Sequence, residues 1–163
     1  MNSPIFIIRE IQKEDNPKVA EIIRTVMTEY GCVGEGYSIE DPEVDYMFET
    51  YADDRSHYLV LLKGEKIVGC GGVAQLQGGS QDTCELKKMY FYSDARGAGM
   101  GTKMVSVLLE KAKELGYEKC YLETVARMER ANALYQKMGF QKLQGAEGNT
   151  GHCGCDSHYI KEL

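Results

Sequence analysis

The feature that most constrains the fold is a run of glycines between a predicted strand and a predicted helix. Gly97, Gly99 and Gly101 occupy alternate positions, and glycine permits positive φ and close approach of a ligand to the backbone. Residues 85–92 carry the apolar and aromatic side chains of a strand. Residues 101–115 repeat apolar side chains at helical spacing. Because free N–H groups and the positive helix dipole converge on the glycines, we predict an anion site, most naturally for phosphate.

Two common phosphate-binding patterns do not fit this loop. A P-loop starting at Gly97 requires glycine at Thr102, and a dinucleotide fingerprint starting at Gly97 or Gly99 requires glycine at Thr102 or Met104. The pattern that fits is Arg96-x-x-Gly99-x-Gly101. Taken alone, the loop is equally compatible with a glycine-rich turn that binds nothing. A nucleotide-binding protein is a further alternative, against which the failed P-loop pattern argues.

The rest of the chain supplies strands and helices on both sides of the loop. Hydrophobic spacing, glycines and prolines predict the following elements: strand 4–11, helix 16–30 capped by Asp15 or Asn16, helix 41–51, strands 57–63 and 66–77 joined at Gly64-Glu65, strand 85–92, helix 101–115, strand 118–124, helix 131–138, strand 140–143 and strand 157–163. The strand–helix–strand unit around the loop predicts one parallel strand pair.

Two motifs resemble those of the GNAT superfamily of N-acetyltransferases. The glycine loop resembles that family's coenzyme A pyrophosphate loop, Gln/Arg-x-x-Gly-x-Gly/Ala. The segment Asn132-x-x-Tyr135-x-x-x-Gly139-Phe140 resembles the segment after the family's fifth strand. The predicted element order is similar to the whole GNAT fold. The resemblance implies one domain, 1–163, with an α/β (α+β) fold: a mixed sheet of six to seven strands, flanked by about four helices, with a splayed central strand pair.

The resemblance implies acetyl-CoA as cosubstrate. Backbone groups of the splayed strand would hold the pantetheine arm, and an N–H of Tyr90 or Phe91 would polarise the thioester carbonyl. Backbone N–H groups from Gly97 to Thr102 would bind the pyrophosphate. The implied cofactor-binding residues are Met89, Tyr90, Phe91, Arg96, Gly97, Ala98, Gly99, Met100, Gly101, Thr102 and Asn132. An alternative interpretation of Asn132 is a polar residue at a helix start.

Two residues match catalytic positions of the family. Tyr135 matches the tyrosine that protonates the coenzyme A thiolate, and a phenol is able to donate that proton. Glu85, eleven residues before Arg96, matches a glutamate that accepts the amine proton in some relatives, directly or through water; a partly buried carboxyl would have a suitably raised pKa. The alternatives are a core tyrosine and a strand-edge carboxylate paired with a lysine.

Charge distribution bears on the partners. The net charge of −6 argues against a nucleic-acid partner. Residues 35–54 contain eight acidic residues and no Lys or Arg, where relatives wrap the acceptor site. This segment is interpreted either as steering a cationic amine or as a solvated face. The loop 145–155 is predicted to border the acceptor pocket, with His152 as a base, a substrate contact or an ordinary loop histidine.

The cysteines and the absence of targeting signals bear on location. No signal peptide or membrane-spanning run is evident, and no membrane partner is expected. The six cysteines are interpreted as thiols in a reducing cytoplasm. Cys153 and Cys155, beside His152, lack the spacing of a usual zinc site, and no second ligand pair follows. We therefore predict no metal.

The combined expectation is a cytoplasmic, acetyl-CoA-dependent N-acetyltransferase acting on a primary amine of a small molecule. Direct attack in a ternary complex is preferred over a cysteine acyl-enzyme, because no cysteine falls on the motif segments; Cys84 and Cys120 are near enough to need testing. A protein or peptide amino group is the alternative acceptor. A non-catalytic acyl-CoA sensor is the alternative class. A homodimer is an expectation from the family alone.

Overall fold

A seven-stranded mixed sheet forms the centre of the protein, and the computed structural model describes residues 4–163 of it. The strands and helices are β1 Phe6–Glu10, α1 Asn16–Glu29, α2 Met47–Thr50, β2 His57–Lys63, β3 Lys66–Gln75, β4 Thr83–Phe91, α3 Met100–Glu114, β5 Lys119–Thr124, α4 Glu129–Lys137, β6 Gln141–Leu143 and β7 Ser157–Glu162. The strand order is β1-β2-β3-β4-β5-β7-β6. Only the β4–β5 pair is parallel, which confirms the predicted crossover through α3.

Apolar side chains cover both faces of this sheet. On one face, α3 and α4 pack over a cluster that includes Leu108, Leu122 and Tyr135. On the other face, α1 and the segment around α2 pack over a cluster that includes Ile22, Met47 and Val60. The strands therefore sit between two hydrophobic layers, as expected for a sheet that contains a parallel pair.

Strands β4 and β5 separate halfway along their length. They pair only from Thr83 to Glu85, opposite Lys119 to Tyr121. Beyond Glu85 the two strands diverge, which confirms the predicted splayed pair and opens a gap in the middle of the sheet.

A bulge in β4 changes the direction of its side chains beside this gap. Gly72 lies opposite Lys87 and Cys70 lies opposite Tyr90, so β4 carries one residue more than β3 between these pairs. Lys88 occupies the bulge with φ 52°, an unusual conformation for a residue with a side chain. The bulge turns Lys88 and Tyr90 toward the α1 face, on which Glu85 also lies.

One predicted element differs from the structure in kind, and several others differ by one or two residues at their ends. The predicted helix 41–51 is a 3₁₀ turn, Pro42–Asp45, followed by the single-turn α2. It is interrupted because Asn16 binds the Phe48 N–H and the Glu49 carboxylate. The first strand is shorter than predicted, Phe6–Glu10 rather than 4–11.

The helices are short and amphipathic. Within residues 4–163, none has both the length and the apolar composition needed to cross a membrane.

Candidate functional site

A cavity of about 240 Å³ opens beside the glycine loop. Gly97 and Gly99 have φ angles of 84° and 76°, and Gly99 caps the first turn of α3. A side chain at either position would meet only open space, so these glycines are required by backbone conformation and not by crowding. The first N–H groups of α3 have no partner within the helix. The loop is thus a bare cradle of backbone donors at the positive end of a helix.

Arg96 ties this loop to the end of β4. Its guanidinium donates two hydrogen bonds to the Phe91 carbonyl, at 2.9 and 2.7 Å, and one to Glu29 at 3.1 Å. The same group lies 5.8 Å from the centre of the Tyr30 ring. The guanidinium therefore fixes the position of the glycine cradle relative to the splayed strand.

Most residues predicted to bind the cofactor line this cavity. They are Met89, Tyr90, Phe91, Arg96, Gly97, Gly99, Met100, Gly101 and Thr102. Ala98 and Asn132 are not among the lining residues. The Asn132 amide donates to the carbonyls of Val125 and Met128 and accepts from the Tyr159 hydroxyl at 2.7 Å. These contacts are those of a residue that anchors a helix start, and binding of the cofactor arm by Asn132 stays a prediction.

A second, smaller cavity of about 60 Å³ lies on the other side of the splay. The two cavities share the side chains of Met89, Tyr90, Met128, Ala131 and Tyr135. Tyr135 is buried between the rings of Phe140 and Tyr159. Burial raises the pKa of this phenol, so the hydroxyl keeps its proton at neutral pH. A proton donor therefore stands at the junction of the two cavities.

Glu85 lines the second cavity and is only 3% exposed. Its carboxyl accepts no hydrogen bond from the described part of the chain. Burial raises its pKa to about 7, with Lys87 opposing the shift and Glu123 adding to it. The alternative interpretation of Glu85, a carboxylate at a strand edge paired with a lysine, does not match this buried environment. A carboxyl with this pKa is half ionised at neutral pH and is suited to accepting a proton.

Opposite Glu85, a chain of charged groups closes the second cavity. The buried Lys88 ammonium lies 2.9 Å from both Asp41 and Glu43. Asp41 also accepts from the His152 Nε2 at 2.7 Å, and His152 Nδ1 lies 3.6 Å from Glu123. Burial would lower the pKa of His152, but the contacts with Asp41 and Glu123 outweigh it and raise the pKa to about 9. His152 is therefore an imidazolium at neutral pH, and not an ordinary loop histidine.

Both carboxylates beside His152 are held in the ionised form. Burial opposes ionisation of Asp41, yet His152 and Lys88 lower its pKa. Burial likewise opposes ionisation of Glu123, but the hydrogen bonds from His152, Thr150 and Tyr121 lower its pKa. The network carries alternating charges from one end to the other.

Glu85, Glu123 and His152 bring possible metal-ligand atoms within 4.8 Å of one another. Both ring nitrogens of His152 face carboxylates, and an imidazolium has no lone pair for a metal. The grouping is therefore better described as an ion-pair network, and the absence of a metal stays a prediction.

Two loops cover the second cavity from the side of the solvent. The Gly154 N–H donates to the Gly36 carbonyl at 2.8 Å, and Gly154 lies flat against the Tyr37 ring. Arg127 reaches across to the carbonyls of Tyr30 and Gly31. The loop 145–155 thus borders the second cavity, with His152 and Cys155 in its lining. That this cavity receives the acceptor stays a prediction.

The cysteines are all free thiols. Cys84 and Cys120 lie side by side on β4 and β5 and pack into the cluster on the α3 face. Glu85 points to the opposite face, toward the second cavity. Neither thiol lines either cavity beside the splay.

Sequence reasoning did not identify Lys88, Asp41, Glu43 and Glu123 as members of the site. Asp41 and Glu43 lie within the acidic segment noted from composition, which was the only signal for them. Lys88 and Glu123 are ordinary strand residues in the sequence, and their role depends on contacts across more than 25 positions of the chain.

Comparisons with known proteins agree with this geometry. The model of the acetyltransferase (GNAT) family matches residues 10–140. The uncharacterized N-acetyltransferase YjgM of Escherichia coli (strain K12) is 39% identical over 158 residues, which cover 96% of this chain and 95% of that protein. An acetyltransferase of GNAT family from Staphylococcus aureus Mu50 has a similar structure, with a TM-score of 0.81 at 17% identity over 98% of this chain and 99% of that one. YncA from Salmonella typhimurium, solved with its cofactor acetyl-CoA, gives 0.78 at 17% identity over 97% and 94%.

Proposed function

This chain belongs to the acetyltransferase (GNAT) family of N-acetyltransferases, and we propose that it transfers the acetyl group of acetyl-CoA to a primary amine of a small molecule. The observation that carries the proposal is the pair of cavities that meet at the splay of β4 and β5. One contains a backbone cradle for phosphates, the other contains a buried carboxyl, and Tyr135 lies between them.

The cradle fits the cosubstrate in its chemistry. Backbone N–H groups from Gly97 to Thr102, at the start of α3, bind the pyrophosphate, and the space beside Gly97 and Gly99 is open. The diverging edge of β4 from Met89 to Phe91 offers backbone groups to the pantetheine arm. Bound acetyl-CoA supplies the thioester, and a β4 N–H of Tyr90 or Phe91 stabilises the charge that develops on its carbonyl oxygen.

Two side chains perform the proton transfers. Glu85 accepts the proton that the amine loses as it attacks, directly or through water, since its pKa of about 7 matches that task. Tyr135 donates its phenolic proton to the departing thiolate. Attack within a ternary complex is favoured over a cysteine intermediate. Cys84 and Cys120 point into the core on the α3 face, and burial raises the pKa of Cys155, a thiol that lines the second cavity, which disfavours its nucleophilic thiolate form. The acid and the base are both side chains of this chain, so the proposed reaction requires no metal.

The size of the second cavity supports an amine at the end of a narrow chain as the acceptor group. Its volume of about 60 Å³ admits an aminoalkyl group. The loops at Gly36 and Gly154 close over it. All six cysteines are free, which supports the further proposal that the protein works in a reducing cytoplasm.

The direct test follows free-thiol release from acetyl-CoA across a panel of small amines, polyamines, amino acids and lysine-containing peptides. We expect turnover with a small amine, lost in Glu85→Gln while acetyl-CoA binding by calorimetry is retained. Turnover of peptides alone would instead make a protein amino group the acceptor. Tight acetyl-CoA binding without turnover of any amine would favour a sensor, and failure to bind acetyl-CoA would contradict the proposed cradle.

A further inference from the structure

His152 connects two carboxylates that come from distant parts of the chain. Its Nε2 donates to Asp41 at 2.7 Å, and its Nδ1 faces Glu123 at 3.6 Å. The histidine side chain is only 7% exposed, so solvent screens these contacts weakly. The Asp41 carboxylate is held in turn by the Lys88 ammonium at 2.9 Å. Asp41 therefore contacts two basic side chains. Glu123 also has two histidines near it, His152 at 3.6 Å and His158 Nε2 at 3.8 Å, of which only His152 lines the second cavity.

Glu123 is the charged group that most directly opposes ionisation of Glu85. The two carboxyls and the His152 ring bring one polar atom each within 4.8 Å of one another. The Glu123 oxygens also accept from the hydroxyls of Thr150 and Tyr121, and these neutral donors fix the carboxylate without cancelling its charge. The imidazolium is thus the group that compensates Glu123 on the side facing the cavity.

The surroundings of Glu85 come from four parts of the fold. The titratable and charged side chains near it are Lys87 and Lys88 on its own strand, Glu123, Tyr121 and Cys120 on β5, His152 and Cys155 on the loop 145–155, and Tyr51 at the end of α2. Lys88 is already paired with Asp41 and Glu43. The Lys87 ammonium lies 5.9 Å from the centre of the Tyr51 ring.

We propose that His152 is a positioning residue for acetyl transfer: held between Asp41 and Glu123, it neutralises the carboxylate that faces the base Glu85 and fixes the loop 145–155 against the acceptor cavity. This inference rests on the proposed function, since it concerns the base of that reaction. His152 acts through Glu85 and does not itself accept the amine proton, because its Nε2 is bonded to Asp41 and its Nδ1 faces the Glu123 carboxylate.

The geometry predicts opposite effects for the two neighbours of Glu85. Replacing His152 by glutamine removes a positive charge, leaves Glu123 without its partner on the side of the cavity and makes ionisation of Glu85 harder. Replacing Glu123 by glutamine removes the negative charge and makes ionisation easier. A general disturbance of packing would not shift the two variants in opposite directions.

The test measures kcat/KM against pH for the wild type, His152→Gln, Glu123→Gln and the double variant. We expect the acid limb to move up by about one pH unit in His152→Gln and down by a similar amount in Glu123→Gln, with the double variant near the wild type. Well below the midpoint, the first shift is an approximately tenfold loss of kcat/KM. His57→Gln, a histidine on β2 whose nearest carboxylate is Glu10, is the matched control and should leave the limb in place.

A carboxyl ¹³C NMR titration of glutamate-labelled protein measures the ionisation of Glu85 without relying on activity. The Glu85 signal is assigned by its loss in Glu85→Gln. Opposite displacements of this signal and of the acid limb would support the proposal. If the NMR midpoint is unchanged in His152→Gln, the positioning role is wrong. If the midpoint moves while the limb does not, and Glu85→Gln also leaves the limb intact, Glu85 is not the base; the proposed mechanism then fails, and the role of His152 in it fails too.

Discussion

Lys88 is the residue whose conformation and charge shape the site most. It adopts a positive φ of 52° at the bulge, with its side chain completely buried. The Tyr58 hydroxyl donates to the Lys88 carbonyl at 2.7 Å, which holds the bulge in place. The ammonium then joins β4 to the acidic segment through Asp41 and Glu43. The ammonium is buried here because the carboxylates of Asp41 and Glu43 compensate its charge.

Removing this cation should destabilise the fold. Lys88→Met leaves Glu43 without its partner and Asp41 with His152 alone, and since both carboxylates remain partly exposed we expect a loss of about 3 kcal/mol in the free energy of unfolding. Urea denaturation of the purified variant measures this loss. The control is Lys87→Met, the neighbouring lysine that makes no ion pair within residues 4–163, for which a change within about 0.5 kcal/mol is expected. Equal stabilities of the two variants would show that the buried pairs contribute little.

Tyr135 lies between the cavities and is predicted to act as the acid. Tyr135→Phe keeps the ring packed against Phe140 and Tyr159 but removes the proton. We expect kcat to fall roughly 10²-fold, with the Kd for acetyl-CoA nearly unchanged by calorimetry. Tyr117→Phe removes another buried hydroxyl, which donates to the Arg55 carbonyl far from the cavities, and should leave kcat unaltered. If the kcat of Tyr135→Phe equals that of the wild type, Tyr135 is not the proton donor.

The unit formed by the glycine loop and α3 depends on one backbone conformation. Gly99 caps α3 with φ 76°, and alanine there would be held in the left-handed region at a cost of about 1–2 kcal/mol. The loop of Gly99→Ala relieves that strain by rearranging, so we expect acetyl-CoA to bind at least tenfold more weakly in calorimetry.

The same helix offers a matched control at its other end. Gly116 has φ 92° and likewise has no neighbour within 4 Å of an added Cβ. Gly116→Ala should cost similar stability without changing the Kd for acetyl-CoA. If both variants bind equally well, the conformation of Gly99 does not form the phosphate site.

Elements with local signals could be predicted from the sequence, and elements without them could not. Apolar spacing and the glycines that follow each helix located α1 and α3 to within one or two residues. This was possible because the side chains that a helix buries recur at a regular spacing in the local sequence. The segment 41–51 also has helical apolar spacing, yet it forms a 3₁₀ turn and a single α-turn. There the Asn16 side chain, more than 30 positions away, takes the Phe48 N–H and breaks the helix.

The candidate site shows the same division. The phosphate cradle is contiguous in sequence, so its residues were identified from a motif. The contact between Asp41 and His152 joins residues 111 positions apart in the sequence. Nothing in the local sequence around either residue indicates this contact. Lys88 could not be predicted as a bulge residue, since positive φ is normally marked by glycine or asparagine. Long-range polar contacts follow from the completed fold.

At the scale of the whole molecule, the His152 network links four separate segments: the acidic segment 35–54, β4, β5 and the loop 145–155. Such a link should appear in the dependence of stability on pH. The pKa of His152 rises from an ordinary value of 6.5 to about 9 on folding, so the folded protein binds this proton more tightly than the unfolded chain. Its contribution is fully present below pH 6.5 and is lost as the pH rises through about 9.

Glu85 contributes with the same sign but in a lower window, because its pKa rises from 4.5 to about 7 on folding. Its contribution is lost between these values. Burial raises the pKa of the Cys70, Cys120 and Cys155 thiols, so these groups lower stability only as the pH approaches 9, the ordinary value for a thiol.

The interval from pH 7 to pH 8.5 is therefore left mainly to His152, and across it we expect the free energy of unfolding of the wild type to fall by about 2 kcal/mol, with most of this slope lost in His152→Gln. Urea denaturation at half-unit steps of pH measures both slopes, with His57→Gln as the control that keeps the wild-type slope. Parallel curves for the wild type and His152→Gln would mean that His152 does not hold its proton through the contacts with Asp41 and Glu123, and the loop would then be fixed by packing alone.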